Sequence, residues 1–439
     1  MRDFARSEDP AVQAQLDRLA ALSVPDGRLG LETIRALCAR LGDPQDRLPP
    51  TFHVAGTNGK GSTCAFLRAM LEADGKRVHV ATSPHLVRYN ERIRIAGKLI
   101  EDAQLAALLE EVLDTGMDLN PSFFEVTIAA TFLAFAREPA DACVVEVGLG
   151  GRFDATNVLR ADVLAACGIA ALGIDHEQFL LAPEDGVPAD PIARIAFEKA
   201  GIAKPGVPLV TLDYYYPQPA KDAIRAVSER VGAPLFGLGD GWAVKPGGSD
   251  DHPVYGEGEA CYLHTPPPAM PGRHQVINAG LAIAMLRRQS RIEISQDALK
   301  AGVPEARWPA RMQRLGRGPL TRLVARRALW LDGGHNPSAG EAIGQYLQDQ
   351  PLHLIIGMLA NKDPKAIAGA LGDRIRSLTV VPVPGHECHP PEAFGPDARA
   401  AADLEEALLG IPSDEYPILI AGSLYLAGEA LRLNDEVPD

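Results

Sequence analysis

The chain has 439 residues, 46 % of them apolar, with 43 Lys and Arg against 57 Asp and Glu for a formal net charge of −14. At about 150 residues per domain this length predicts two or three domains, and the composition excludes disorder as the dominant state. The acidic balance weighs against a sequence-independent nucleic-acid binder, yet leaves room for a local basic pocket that takes a small anion.

In chain order, the first 50 residues read as helical and polar, and Met1 to Arg6 lacks the apolar core of a signal peptide. The longest apolar run, Val163 to Ile174, has 12 residues, too few to cross a bilayer. A cytoplasmic protein without membrane contact is expected. Phe52 to Ala55 predicts a strand, followed by a glycine-rich turn and an amphipathic helix over Ser62 to Ala73. Val78 to Ala81 predicts the next strand, Phe123 to Arg137 a helix, and Ala142 to Val147 and Val163 to Ile169 two buried strands. Ile192 to Ala200 reads as a helix and Pro208 to Leu212 as a strand. This alternation predicts a parallel α/β sheet.

The segment Phe236 to Pro271, rich in Gly, Pro and aromatics, breaks the rhythm and predicts small antiparallel strands. Val276 to Arg288 predicts a helix, and Ala301-Gly302-Val303-Pro304 reads as a linker. The rhythm then restarts with strands at Ala328 to Asp332, Leu352 to Ile356, Ser377 to Val381 and Ile418 to Ala421. Helices are expected at Ser338 to Leu347, Pro364 to Leu371 and Ser423 to Leu431. The expected fold is α/β with two domains. Residues 1–303 form a P-loop-type parallel-sheet domain with a small antiparallel addition, and 304–439 a Rossmann-like α/β domain. The six cysteines are scattered without a CxxC pair and read as mostly buried thiols.

The strongest chemical signal is Gly56-Thr57-Asn58-Gly59-Lys60-Gly61-Ser62, between a strand and a helix. Backbone amides at such a helix start favour phosphate oxygens, and Lys60 reaches the terminal phosphates. The spacing departs from G-x-x-x-x-G-K-[ST], and by itself it leaves GTPase, kinase, motor and ligase open. Asn361-Lys362-Asp363 misses the N-K-x-D spacing for guanine. Glu146 places one carboxylate in an apolar strand, which requires a metal or an ion pair, with Arg152 the nearest cation in sequence. His176 and Ser83 each follow a parallel strand's carboxyl end, where open α/β sheets bind ligands. Glu198-Lys199, ahead of Gly201, reads from these residues alone as a surface Glu–Lys pair with a glycine stop.

Together these blocks resemble the folylpolyglutamate synthase/dihydrofolate synthase family of the Mur-type ATP-dependent amide ligases. The resemblance is carried nearly end to end by Gly56 to Ser62, Ser83-Pro84-His85-Leu86, Phe123-Phe124-Glu125, Glu146 to Asn157, Asp175-His176, Glu198 to Ile202, Trp308 to Arg311 and Asp332 to Pro337. It points to a bacterial bifunctional enzyme. It implies that Gly56, Thr57, Asn58, Gly59, Lys60, Gly61 and Ser62 hold ATP, with Asn278, Arg311 and Asp332. Ser83 and Glu146 would bind one Mg²⁺, and His176 with a carbamylated Lys199 a second. Ser122, Phe123, Phe124, Glu125, Phe153, Asp154 and Ala155 match segments that hold the pterin-bearing substrate.

Lys60, Lys199 and His335 are the implied catalytic residues. His335 would orient glutamate or assist loss of the amine proton. The implied reaction phosphorylates a carboxylate of dihydropteroate or reduced folate, and L-glutamate then attacks the acyl phosphate. A monomer acting on small molecules, closing about residues 301–307, is expected. The alternatives are a Mur-type ligase for another acid and amino acid, or a nucleotide-driven switch. Two departures stand out. The span from His176 to Lys199 is longer than the family's, with an acidic, Pro-rich stretch over Ala182 to Asp190, and Ala310 replaces the glycine of Trp-Pro-Gly-Arg.

Overall fold

The computed structural model describes residues 6–22, 30–245, 252–257, 261–324 and 327–439. The chain forms two compact units: Met1–Pro84, Tyr89–Ala269 and Gln275–Arg307 in the first, and His85–Arg88, Met270–His274 and Trp308–Asp439 in the second.

The first unit is built on eight strands: β1 (Thr51–Ala55), β2 (Val78–Ala81), β3 (Ile93–Ile95), β4 (Lys98–Leu99), β5 (Ala142–Glu146), β6 (Leu164–Ile169), β7 (Leu209–Thr211) and β8 (Leu235–Gly237). Their order is β4-β3-β2-β5-β1-β6-β7-β8. From β2 to β8 every neighbour pairs in parallel, and β3 and β4 add an antiparallel edge. Every residue of β1, β5 and β6 is buried, as expected of central strands in a parallel sheet, and the polar Thr51, His53 and Glu146 among them each need a partner.

The helices of this unit are α1 (Pro10–Ala20), α2 (Glu32–Arg40), α3 (Lys60–Ala73), α4 (Asp102–Gly116), α5 (Phe123–Arg137), α6 (Glu177–Leu180), α7 (Pro191–Ala200), α8 (Gln218–Val231), α9 (Arg273–Arg288) and α10 (Gln296–Glu305). The stretch expected as a linker, Ala301 to Pro304, instead lies inside α10. Ser295 caps this helix, and Leu299 and Val303, one turn apart, are buried. Gly302 serves packing there: a Cβ would sit 2.5 Å from the Met70 backbone.

The expected small antiparallel sheet is present as β9 (Ala243–Lys245), β10 (Val254–Glu257) and β11 (Cys261–His264). Phe236 and Gly237, placed in that segment by the sequence, belong to β8 of the large sheet. Residues 246–251 and 258–260 of the segment, and 1–5 and 23–29 of the expected helical start, lie outside the described residues.

The second unit contains β12 (Gln313–Arg314), β13 (Leu329–Leu331), β14 (Leu352–Ile356), β15 (Ile375–Val380), β16 (Arg399–Ala400) and β17 (Ile418–Ala421), in the order β12-β13-β17-β14-β15-β16. Only β12 pairs antiparallel. Its helices are α11 (Pro319–Leu323), α12 (Pro337–Leu347), α13 (Lys365–Leu371), α14 (Leu404–Leu409) and α15 (Leu424–Leu433). Strand alternation divides the core in two. Ile418 and Ile420 pack with Leu426 and Leu431 of α15, while Leu419 and Ala421 pack with Ile343 and Leu347 of α12. No helix among the described residues is long and apolar enough to cross a membrane.

Candidate active site

Parallel strands β1, β2, β5 and β6 release their following loops at one sheet edge, which gathers residues 56–59, 83, 146–154 and 171–176. The loop after β1 turns into α3 at Gly59, whose φ of +81° suits glycine. A Cβ there would lie 2.7 Å from Asn278 Oδ1, so α9 brings Asn278 against the loop. The amides of Thr57 and Asn58 donate to Ala171 O at 2.8 and 3.2 Å, and Thr57 Oγ1 donates to Gly173 O at 2.9 Å. The loop is thereby clamped to the segment after β6. The amides of Thr57 and Asn58 are engaged there, whereas the amides that open α3 lack intrahelical partners.

Two lysines meet at this loop. Lys60 Nζ and Lys199 Nζ both donate to Gly56 O, at 3.1 and 3.0 Å. Lys199 shares a small cavity with Gly56, Lys60, Asp175 and His176. Burial, and then the charge of Lys60, lower its pKa from 10.5 to about 7. The expectation of a surface Glu–Lys pair is corrected here, since Glu198 and Lys199 are only 3 % and 4 % exposed. Glu198 is affordable in the interior because Arg152 Nη2 donates to it at 2.8 Å and Arg194 Nε lies 3.1 Å away. Arg152 is thus engaged on α7. Glu146, also buried, accepts the Ser83 amide at 3.2 Å. His176 has φ +53° just ahead of α6, with its amide donating to Asp175 Oδ1 at 2.7 Å.

The segment after β5 is braced from within. Asp154 is buried and accepts the amides of Leu149 and Thr156, at 2.8 and 3.0 Å, and the Thr156 hydroxyl. Burial raises its pKa. The Thr156 hydroxyl, donating to Asp154, accepts from His53 Nε2 at 2.8 Å, which fixes the tautomer of that buried histidine. Burial pushes His53 down to about 3, so it stays neutral. Gly148 is required by close approach, since a Cβ would lie 2.4 Å from Phe124. Ser122 and Glu125 bond to each other as the capping box of α5, and the Phe123 ring lies near Tyr89 and the Arg92 guanidinium.

A cavity of about 660 Å³ opens beside this segment, lined by Leu31, Arg35, Arg152, Phe153, Asn157 and Lys204 among others. Of the seven residues assigned to the substrate, only Phe153 lines it. Sequence reasoning missed Thr156, Arg35, Lys204 and Glu184. Only Thr156 stood inside a recognised block.

In the second unit, Asp332 directly follows β13 and accepts the amides of Gly334 and Met312 at 2.7 and 2.8 Å. This braces the turn that carries Arg311, where Ala310 and Met312 have φ +54° and +43°. Ala310 therefore occupies a left-handed position in which glycine would be unstrained. His335 Nδ1 lies 3.1 Å from Gly333 O.

No family model matches the chain. A curated relative, "Dihydrofolate synthase/folylpolyglutamate synthase" of Bacillus subtilis (strain 168), is 34 % identical over 401 residues, covering 86 % of this chain and 84 % of the relative. The chain belongs to the dihydrofolate synthase/folylpolyglutamate synthase family. It is an ATP-dependent ligase that joins L-glutamate to a pteroate or folate acid. E. coli FolC, solved in complex with DHPP and ADP, superposes with a TM-score of 0.83 at 27 % identity, covering 98 % of this chain and 99 % of that one. A bifunctional folylpolyglutamate synthase/dihydrofolate synthase with Mn, AMPPNP and L-glutamate bound gives 0.81 at 29 %, covering 98 % and 99 %. The expected family and α/β fold are borne out.

Proposed function

We propose that this ligase acts on both dihydropteroate and reduced folate, phosphorylating the acid with ATP before L-glutamate attacks. A carboxylate does not condense with an amine unaided in water, so activation as an acyl phosphate must precede attack. The observation that carries the residue assignment is the convergence of Lys60 and Lys199 on Gly56 O beside His176. The amides opening α3 and the Lys60 ammonium hold phosphate oxygens, with Asn278 against the loop and Arg311 and Asp332 assigned to ATP by the family pattern. ADP and AMPPNP in the related structures support this reading.

The donor set fits divalent cations: a buried carboxylate, Glu146, beside Ser83, and the imidazole of His176 across the small cavity from Lys199. Mg²⁺ at these two places would neutralise phosphate charge during transfer. An ammonium at Lys199 would repel such an ion. With a pKa of about 7 this lysine is substantially neutral at neutral pH, and a neutral amine adds CO₂. The amine lone pair forms the N–C bond and a proton leaves to water, giving a carbamate that is an oxygen ligand of negative charge.

The cavity beside Phe153 supports placing the pterin-bearing acid there, with Ser122 to Glu125, Asp154 and Ala155 assigned to that acid by the family pattern alone. His335 is held on its own loop and orients the incoming glutamate. We place the enzyme, as a monomer, in the cytoplasm with its small-molecule substrates.

The test is mass spectrometry of products formed from dihydropteroate and from tetrahydrofolate, each with ATP, Mg²⁺ and L-glutamate. Products one glutamyl residue heavier from both acids are expected. Extension of only one would reduce the proposal to that single activity. Intact-mass analysis in bicarbonate buffer should show a CO₂ adduct that Lys199→Met lacks.

A further inference from the structure

Four charged side chains, Arg152, Glu184 and the α7 residues Arg194 and Glu198, close a ring. Arg152 sets its guanidinium as a fork on Glu184, Nη1 to Oε1 at 2.8 Å and Nη2 to Oε2 at 2.5 Å. It also donates to Glu198, from Nη2 at 2.8 Å and from Nε at 3.1 Å. Arg194 Nη2 donates to Glu184 Oε2 at 2.8 Å, and its Nε lies 3.1 Å from Glu198. Arg194 and Glu198 are almost wholly buried, whereas the Glu184 side chain is 39 % exposed. Two cations and two anions balance. Without Glu184, two guanidinium groups would share one buried carboxylate.

Arg152 faces a second way as well. Its guanidinium lies 4.2 Å from the Phe153 ring centroid and 5.0 Å from that of Phe197. Arg152 and Phe153 both line the 660 Å³ cavity. One side chain therefore joins the loop that carries Glu184 to the cavity wall. Glu184 itself bonds to Arg152 and Arg194, neither of which belongs to the nucleotide loop.

We propose that Glu184 is a positioning residue for the acid substrate: its fork on Arg152 holds the Arg152–Phe153 wall of the cavity in its binding geometry. This rests on the reading that Phe153 borders the pterin-bearing acid. Glu184 then governs affinity for that acid and leaves phosphoryl transfer untouched. Because Glu184 is partly exposed, its fork weakens as KCl approaches 1 M, where the Debye length falls to about 3 Å, close to the contact distance.

The experiment compares the parent enzyme with Glu184→Ala, Glu184→Gln and Phe153→Ala, measuring kcat and the KM values for dihydropteroate and ATP at low and high KCl. Glu184→Ala should raise KM for dihydropteroate about fivefold at low salt, the effect of one partly screened charged pair. Its kcat and KM for ATP should stay within about twofold of the parent. Glu184→Gln, which keeps an accepting oxygen, should recover part of the loss. High KCl should raise the parent's KM toward that of Glu184→Ala, which should itself respond little.

An unchanged KM in Glu184→Ala, with a raised KM in Phe153→Ala, would overturn the role of Glu184 while sparing the substrate placement. No change in either variant would overturn both. A joint fall of kcat and ATP affinity in both Glu184 variants would mark a general structural role and overturn the proposal as well.

Discussion

Replacing Lys199 with methionine isolates the energetic consequence of holding a lysine against Gly56 beside Lys60. The folded protein lowers Lys199 from 10.5 to about 7, through burial first and Lys60 second. Below pH 7 the amine is charged in both the folded and unfolded chain, and the full difference, roughly 4–5 kcal/mol, weighs against folding. Between pH 7 and 10.5 the unfolded state binds the extra proton, so stability rises with pH by about 1.4 kcal/mol per unit. The methionine variant has no such slope. In CO₂-free buffer it should exceed the parent in stability at pH 6, and that advantage should shrink by about 2 kcal/mol by pH 8.5. Hydrogen exchange at the buried β1 amides, corrected for intrinsic rates, reads the opening of the first unit alone. Parallel pH profiles for the two proteins would refute the account of Lys199.

Other substitutions probe the remaining contacts. Thr156→Val removes the donor to Asp154 and the acceptor for His53, and should cost about 1–3 kcal/mol in denaturant unfolding, whereas Thr156→Ser should cost less. Gly148→Ala drives a methyl into the Phe124 ring and should raise KM for dihydropteroate, read from initial rates at saturating ATP. Glu146→Gln should lower Mg²⁺-dependent phosphate release at least about 100-fold, the scale of several kcal/mol of metal-assisted charge stabilisation. The thiols of Cys38 and Cys167, both pushed up to about 12 by burial, should resist a thiol reagent at pH 8 until the chain is unfolded, as counted by labelled mass.

Much of the architecture was legible because local pattern and tertiary role coincide. Val78–Ala81, Phe123–Arg137, Leu352–Ile356 and Ile418–Ala421 have the observed bounds, each a mainly apolar segment that reads correctly from its own residues. The stretch Ala301 to Pro304 misled, because glycine and proline read as chain breakers. Gly302 is small to admit the Met70 backbone, a neighbour far away in sequence.

The site shows the same division. The nucleotide loop is contiguous and readable. The burial of Glu198 and Lys199 depends on Arg152, 46 residues earlier, and on Gly56, 143 residues before Lys199. Spacing within Glu198-Lys199 carries no trace of either. Asp154 and Glu125 were legible as important, yet their carboxylates accept from their own segments, and only packing reveals that.

The central claim is coupled glutamate ligation, and phosphate release from ATP and Mg²⁺ tests it most directly. Dihydropteroate and L-glutamate would be added singly and together to the purified enzyme, with the product identified by mass. The account predicts sustained release only when both are present, in step with a product one glutamyl residue heavier. Sustained release at the same rate with neither compound present would contradict it.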